Sequence, residues 1–223
     1  MSDRAFGSEL LRLVEVMDRL RSPGGCAWDA EQTHDSLIKY LLEESYEFID
    51  AIETDDRVGM REELGDVLLQ VYFHSRIAQD HPTDPFSIED VAKLIADKLI
   101  RRHPHVFEGL VVDDMDEVIE NWEAIKAKEK GRTSSLDGIA MAQPALPLVE
   151  KLIYRAEKYQ VDLPVTDVSS AAAQLQSAPS AESVGEALAA IIALAHEHGI
   201  DPESALRGQA RAMIEKIRQS EAG

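Results

Sequence analysis

The stretch from Ser36 to Gln79 reads SLIKYLLEESYEFIDAIETDDRVGMREELGDVLLQVYFHSRIAQ, and it carries two acidic pairs, Glu44 with Glu47 and Glu63 with Asp66. Each pair has i,i+3 spacing, which on an α-helix sets both carboxylates on one face, a single turn apart. Leu37, Leu41, Phe48 and Ile52 form an apolar stripe beside the first pair. Leu64, Leu68, Val71, Ser75 and Ala78 lie opposite the Glu63, Asp66 and Gln70 face. The spacing predicts helices over about 36–53 and 58–79, with a turn at Asp55-Asp56. Folded back as an antiparallel hairpin, they bring Glu47 level with Glu63, and four carboxylates converge. Like charges held within about 4–6 Å either take up protons or gather cations. Oxygen donors without histidine or cysteine favour Mg²⁺ or Mn²⁺, and phosphate is the usual companion of such a metal.

Helical periodicity continues in both directions, and no strand-like alternation of useful length interrupts it, so the fold class is all-α. A first helix is expected over Phe6 to Leu20, stopped by Ser22-Pro23-Gly24-Gly25. Ser87 reads as the N-cap of a helix that ends near Arg102, ahead of Pro104. Another runs from Asp116 to Lys130, acidic early and lysine-rich late, as the helix dipole prefers. Residues 131–147, with Gly, Ser, Thr and two prolines, read as a linker. Beyond it the chain turns alanine- and serine-rich, with three or four helices expected, among them Ala145 to Gln160, Val184 to His198, and Pro202 to Gln219 capped by Asp201. The expected organisation is a catalytic helical domain over 1–130, the linker, and a second helical region over 148–223.

The 223 residues are 44% hydrophobic and 29% charged, ordinary for a globular protein with a real core. A formal net charge of −19 repels polyanions and argues against binding a nucleic-acid polymer. A small anionic substrate then needs local cations. The single cysteine, Cys26, makes no intrachain disulfide, in keeping with a reducing cytoplasm. Met1-Ser2-Asp3-Arg4 opens no apolar signal region, and the longest apolar run, Ala187 to Ala195, is too short for a bilayer. The expectation is a soluble cytoplasmic protein without a membrane partner.

Three further groups bear on chemistry. Lys98, Arg101 and Arg102 crowd a helix end, where the dipole favours cations, and they read either as a basic C-cap or as a patch for phosphate oxygens. Trp28, in the loop from Gly24 to Asp29, either stacks on a nucleobase or plugs the open end of a bundle. Trp122 and Lys126, at i,i+4, carry the same two readings. No GxxxxGK[ST] or GxGxxG occurs, so phosphate-loop and dinucleotide folds fall away. A di-iron bundle needs two ExxH motifs, and only Glu31 to His34 supplies one.

Together these residues resemble the MazG family of nucleoside triphosphate pyrophosphohydrolases, whose signature is EExxE followed by ExxD. Here it is Glu43-Glu44-x-x-Glu47 and Glu63-x-x-Asp66, accompanied by CAWDAEQT (26–33), EELGDVLLQV (62–71), DKLIRRHPHVF (97–107) and NWEAIKAKEK (121–130). The resemblance runs from Leu10 to Ile139. It implies an all-α homodimer of helical bundles with the site near the interface. It places the metal ligands on Glu44, Glu47, Glu63 and Asp66, with Mg²⁺ the cofactor and Mn²⁺ a substitute. Glu43 falls to an outer-shell or general-base role. Lys98 and Arg102, with Arg101, fall to the phosphates, and Trp28, Trp122 and Lys126 to the rest of the nucleotide. The implied reaction cleaves an NTP or dNTP between the α- and β-phosphates, for nucleotide-pool cleaning or nucleotide-signal control. The rival reading is a non-catalytic helical protein that binds nucleotide or a partner around a structural metal.

Family members often carry two such domains in tandem, and an echo is visible. Residues 63–69, ELGDVLL, have a counterpart in 183–189, SVGEALA. Ser183 replaces Glu63, Glu186 replaces Asp66, no EExxE precedes them, and Ala212 and Ile217 stand where Lys and Arg are expected. The second copy is therefore read as shortened, catalytically silent, and kept for packing or dimerisation.

Overall fold

Local signals start and stop the helices much as their chemistry requires. In a computed structural model describing residues 7–110, 114–131 and 133–222, the first compact unit, Met1–Glu123, holds α1 (Ser8–Arg21), α2 (Ala27–Glu31), α3 (His34–Glu53), α4 (Arg57–Ala78), α5 (Ile88–Arg102) and α6 (Pro104–Phe107). The expected helix start at Phe6 lies outside the described residues. The helix α7 (Met115–Lys130) crosses the boundary into the second unit, Ala124–Gly223, which holds α8 (Ala145–Lys158), α9 (Val168–Ser177), α10 (Ala181–Glu197) and α11 (Pro202–Glu221). No strand occurs among the described residues.

In the first unit, Gly25 closes the turn after α1. A Cβ there would lie 2.3 Å from the Arg19 carbonyl oxygen, so only glycine fits. Thr33 and Ser36 form a reciprocal capping box that starts α3, and Ser87 with Asp90 does the same for α5. Asp56 starts α4 by accepting the backbone N–H groups of Val58 and Gly59, each at 3.0 Å. The connection between α3 and α4 is thus three residues, with Asp55 in the left-handed region at φ 55°. Such a short turn forces an antiparallel hairpin.

The core of this unit is Met17, Leu37, Tyr72 and Phe73, with Leu13, Val14, Leu20, Tyr40, Leu68, Leu69, Ile77 and Ile88 packed around it. It sits at the end of the hairpin away from the turn. The helices α1 and α5 both pack on α4.

One expectation for α4 is corrected. The sequence set Leu64, Leu68, Val71, Ser75 and Ala78 opposite the acidic face, and an apolar stripe of that kind is the natural one to pack. Of these, Ser75 and Ala78 are buried, but Leu64 is 50% exposed and Val71 is also exposed, whereas Gln70 on the acidic face is buried. The reason is that α3 lies against the acidic face, so the carboxylate pairs meet along the hairpin seam, where Glu47 stays exposed and Glu44, Glu63 and Asp66 are half-buried. Likewise Leu41 and Ile52 of the expected α3 stripe are exposed.

In the second unit α10 is the centre, packing against α8, α9 and α11. In the first unit α4 likewise packs against three helices, α1, α3 and α5. Arg155 is buried and holds the turn before α8 by donating to the Asp137 carbonyl oxygen at 3.1 Å. The helix α9 is the fourth of the three or four expected beyond the linker, and the sequence pattern assigned it no position. Its alanine- and serine-rich sequence shows no apolar stripe, and its start is set by Asp167, which accepts from the Ser170 N–H.

Candidate active site

The hairpin register decides what meets what. Near the turn, α3 and α4 approach closely at Gly59, where a Cβ would contact the Ala51 Cβ at 3.4 Å. One turn further, Glu47 meets Glu63, whose carboxyl it affects through its charge and a side-chain hydrogen bond. Next, carboxylate oxygens of Glu44, Glu63 and Asp66 lie within 4.8 Å of one another. At the far end, the His34 and His74 rings stack, with their Nδ1 atoms 2.8 Å apart. The site therefore lies between the hairpin turn and the apolar core, and two elements joined by three residues supply it.

Electrostatics records the crowding. Partial burial, then the charges of Asp66, Glu47, Glu63 and Glu43, push the Glu44 carboxyl above its ordinary value. Glu63 is raised as well, by loss of solvent, by Glu47, Asp66 and Glu62, and by its hydrogen bond to Glu47. The donors are all hard carboxylate oxygens, close enough to share a small ion, and each would be relieved of repulsion by one. This donor chemistry fits a divalent cation such as Mg²⁺, which favours oxygen ligands.

The other expected residues are distributed as follows. Glu43 is exposed and contributes to the field at Glu44. Lys98 is half-buried and Arg101 exposed on α5, which packs beside α4. Arg102 is only 4% exposed, with its guanidinium carbon 5.3 Å from the centroid of the Trp122 ring, a cation–π contact. Trp28 is 50% exposed and meets Tyr40 and Phe73 edge-on, at 5.9 and 6.4 Å between centroids. It rests on the rim of the core at the end of the hairpin opposite the turn. Lys126 falls beyond Glu123, in the second unit.

Residues 32–107, which span the acidic hairpin and the basic end of α5, match the family model described as the MazG nucleotide pyrophosphohydrolase domain. A protein of Thermotoga maritima named "Nucleoside triphosphate pyrophosphohydrolase/pyrophosphatase MazG" is 40% identical over 94% of this chain and 84% of its own length. The chain belongs to the MazG family. An Escherichia coli K12 relative named "Nucleoside triphosphate pyrophosphohydrolase" is 36% identical over 96% of this chain and 88% of its own. An uncharacterised 26.1 kDa protein of Streptomyces cacaoi is 45% identical over 96% and 84%. Within this MazG chain, two polar groups stand out that spacing alone did not single out. Gln70 is buried beside the acids, and His74, beside it on the helix, is pushed below its ordinary value by burial and by His34. Their signal in the sequence is the run Glu63, Asp66, Gln70, His74 along one helical face. No helix among the described residues is long and apolar enough to cross a membrane.

Proposed function

We propose that the protein is a Mg²⁺-dependent nucleoside triphosphate pyrophosphohydrolase. Water adds to the α-phosphorus of an NTP or dNTP and the bond from that phosphorus to the α,β-bridging oxygen breaks. The products are the monophosphate and pyrophosphate, and a proton passes to solvent. The observation that carries this reading is the convergence of Glu44, Glu63 and Asp66 within 4.8 Å, with Glu47 bonded to Glu63. In this reading those four residues hold the metal, with Mn²⁺ a substitute. When bound, the metal supplies charge neutralisation on the phosphates and a more acidic water. Glu43, at the exposed edge of the cluster, is the candidate to accept the water's proton. Lys98 and Arg101 face the phosphates, joined by Arg102 if it leaves Trp122. Trp28 and Trp122 are the candidates to contact the base, and Lys126 completes the substrate set only if the second unit delivers it.

Two further parts of the reading concern the whole chain. Exposed Leu64 and Val71 on α4, with Leu94, Ile95 and Leu99 on α5, leave apolar surface of the kind a homodimer covers. The second unit, where Ser183 and Glu186 replace Glu63 and Asp66, is a silent copy whose central helix also has three helical neighbours. The biological roles proposed are nucleotide-pool cleaning or control of a nucleotide signal.

The test is pyrophosphate release from a panel of NTPs and dNTPs with and without Mg²⁺, on wild type and D66N. Metal-dependent release in wild type and none in D66N is expected. Nucleotide binding without turnover would leave the non-catalytic alternative standing, and residual Mg²⁺-dependent release in D66N would assign activity to the second copy.

A further inference from the structure

Gln70 stands one helical turn beyond Asp66, on the α4 face that carries Glu63 and Asp66. It is 5% exposed, and its side-chain oxygen is enclosed without a hydrogen-bond partner. An enclosed acceptor left unpaired costs stability, and an apolar side chain of the same length would fill the position without that cost. The second unit shows that packing there does not require an amide. The alignment that sets Glu63 against Ser183 and Asp66 against Glu186 sets Gln70 against Ala190, which is 2% exposed. Where the acids have been lost, the amide has been lost with them.

We propose that Gln70 is a positioning residue of the carboxylate site: its side-chain oxygen accepts a hydrogen bond from a water carried by the divalent cation. The proposal rests on the metal reading above and deepens it. Mg²⁺ and Mn²⁺ dehydrate reluctantly, and Mg²⁺ bound through carboxylates keeps several waters. Such a water turns its hydrogens outward and needs acceptors, which an unpaired carboxamide oxygen provides. One turn of helix rises about 5.4 Å, a separation suited to an outer contact rather than a direct ligand. A neutral amide also holds that water without adding another charge to four carboxylates that already repel. Residues that orient the ligands of a metal in this way commonly matter to affinity as much as to geometry.

The experiment is a Mn²⁺ titration followed by the electron paramagnetic resonance signal of the free ion, on wild type, Q70M, Q70E and D66N. It is combined with thermal melting of each metal-free protein. Q70M keeps the length of the side chain and removes the acceptor, whereas Q70E restores an oxygen at the same reach. Q70M is expected to weaken Mn²⁺ binding about 10–100-fold while melting no lower than wild type, and Q70E to recover binding. A purely structural amide predicts the reverse, a lower melting temperature in Q70M with Mn²⁺ affinity unchanged, and that result overturns the proposal. If Q70M does not fold, Q70A, the residue the second copy carries, takes its place in the titration. Wild type and D66N binding Mn²⁺ equally would remove the metal reading itself. A weakened D66N beside an unaffected Q70M removes the role of Gln70 alone.

Discussion

At the scale of single residues, the acids of the hairpin work against the apo fold. Glu44 and Glu63 have carboxyl groups raised above the ordinary value of 4.5, so the folded protein holds protons there that the unfolded chain has released. Stability from these groups is present below the ordinary value and is lost as pH rises through the raised one. E63Q removes one member of the cluster and leaves its neighbours less crowded. The melting temperature of metal-free E63Q, relative to wild type, is therefore expected to rise between pH 4 and pH 7, in the window about and above the ordinary carboxyl value. Millimolar Mg²⁺ at neutral pH should raise the melting temperature of wild type more than that of E63Q. Equal Mg²⁺ responses in the two proteins would count against a shared ion.

At the scale of elements, the hairpin is what turns two spaced motifs into one site. Its geometry hangs on the short turn and on Asp56, whose carboxylate caps α4 through two backbone N–H groups. Replacing that side chain by alanine is expected to cost about 1 kcal/mol, measured as a shift in the urea midpoint at unchanged slope. An unaltered midpoint would show that tertiary packing, not the cap, holds the turn. The elements also show how much of the site was legible. The i,i+3 pairs and the Asp55-Asp56 turn suffice to pair Glu47 with Glu63 and to gather Glu44 with Asp66, because a tight antiparallel turn leaves one register. The His34–His74 contact was not legible, since it joins the first residue of one helix to a residue 40 positions later, and the helical run that carries His74 does not say what lies across from it. The capping serine of α5 was visible for the opposite reason: its partner Asp90 is three residues away.

At the scale of the whole molecule, large apolar side chains on α4 and α5 remain exposed in a single chain. Sedimentation equilibrium is expected to return twice the chain mass of 24.7 kDa, and L64E, which places a charge on the outer face of α4, to shift the mass toward a single chain. A monomeric wild type would rule out the dimer reading. In the second unit α10 also has three helical neighbours, and Ser183 near its start is buried.

Sequence by itself determined the helical class, most helix ends, and the four acids that share a seam, because periodicity, capping and short-turn geometry are local and act within a few residues. Tertiary structure decided which face of α4 met which neighbour. Helical period says which residues share a face, not what that face packs against. So only the folded chain showed Gln70 enclosed, Leu64 and Val71 exposed, and Arg102 laid against Trp122. The helix α9 also waited for the fold, since a run of alanine and serine has no stripe to announce it, and its packing is supplied by α10.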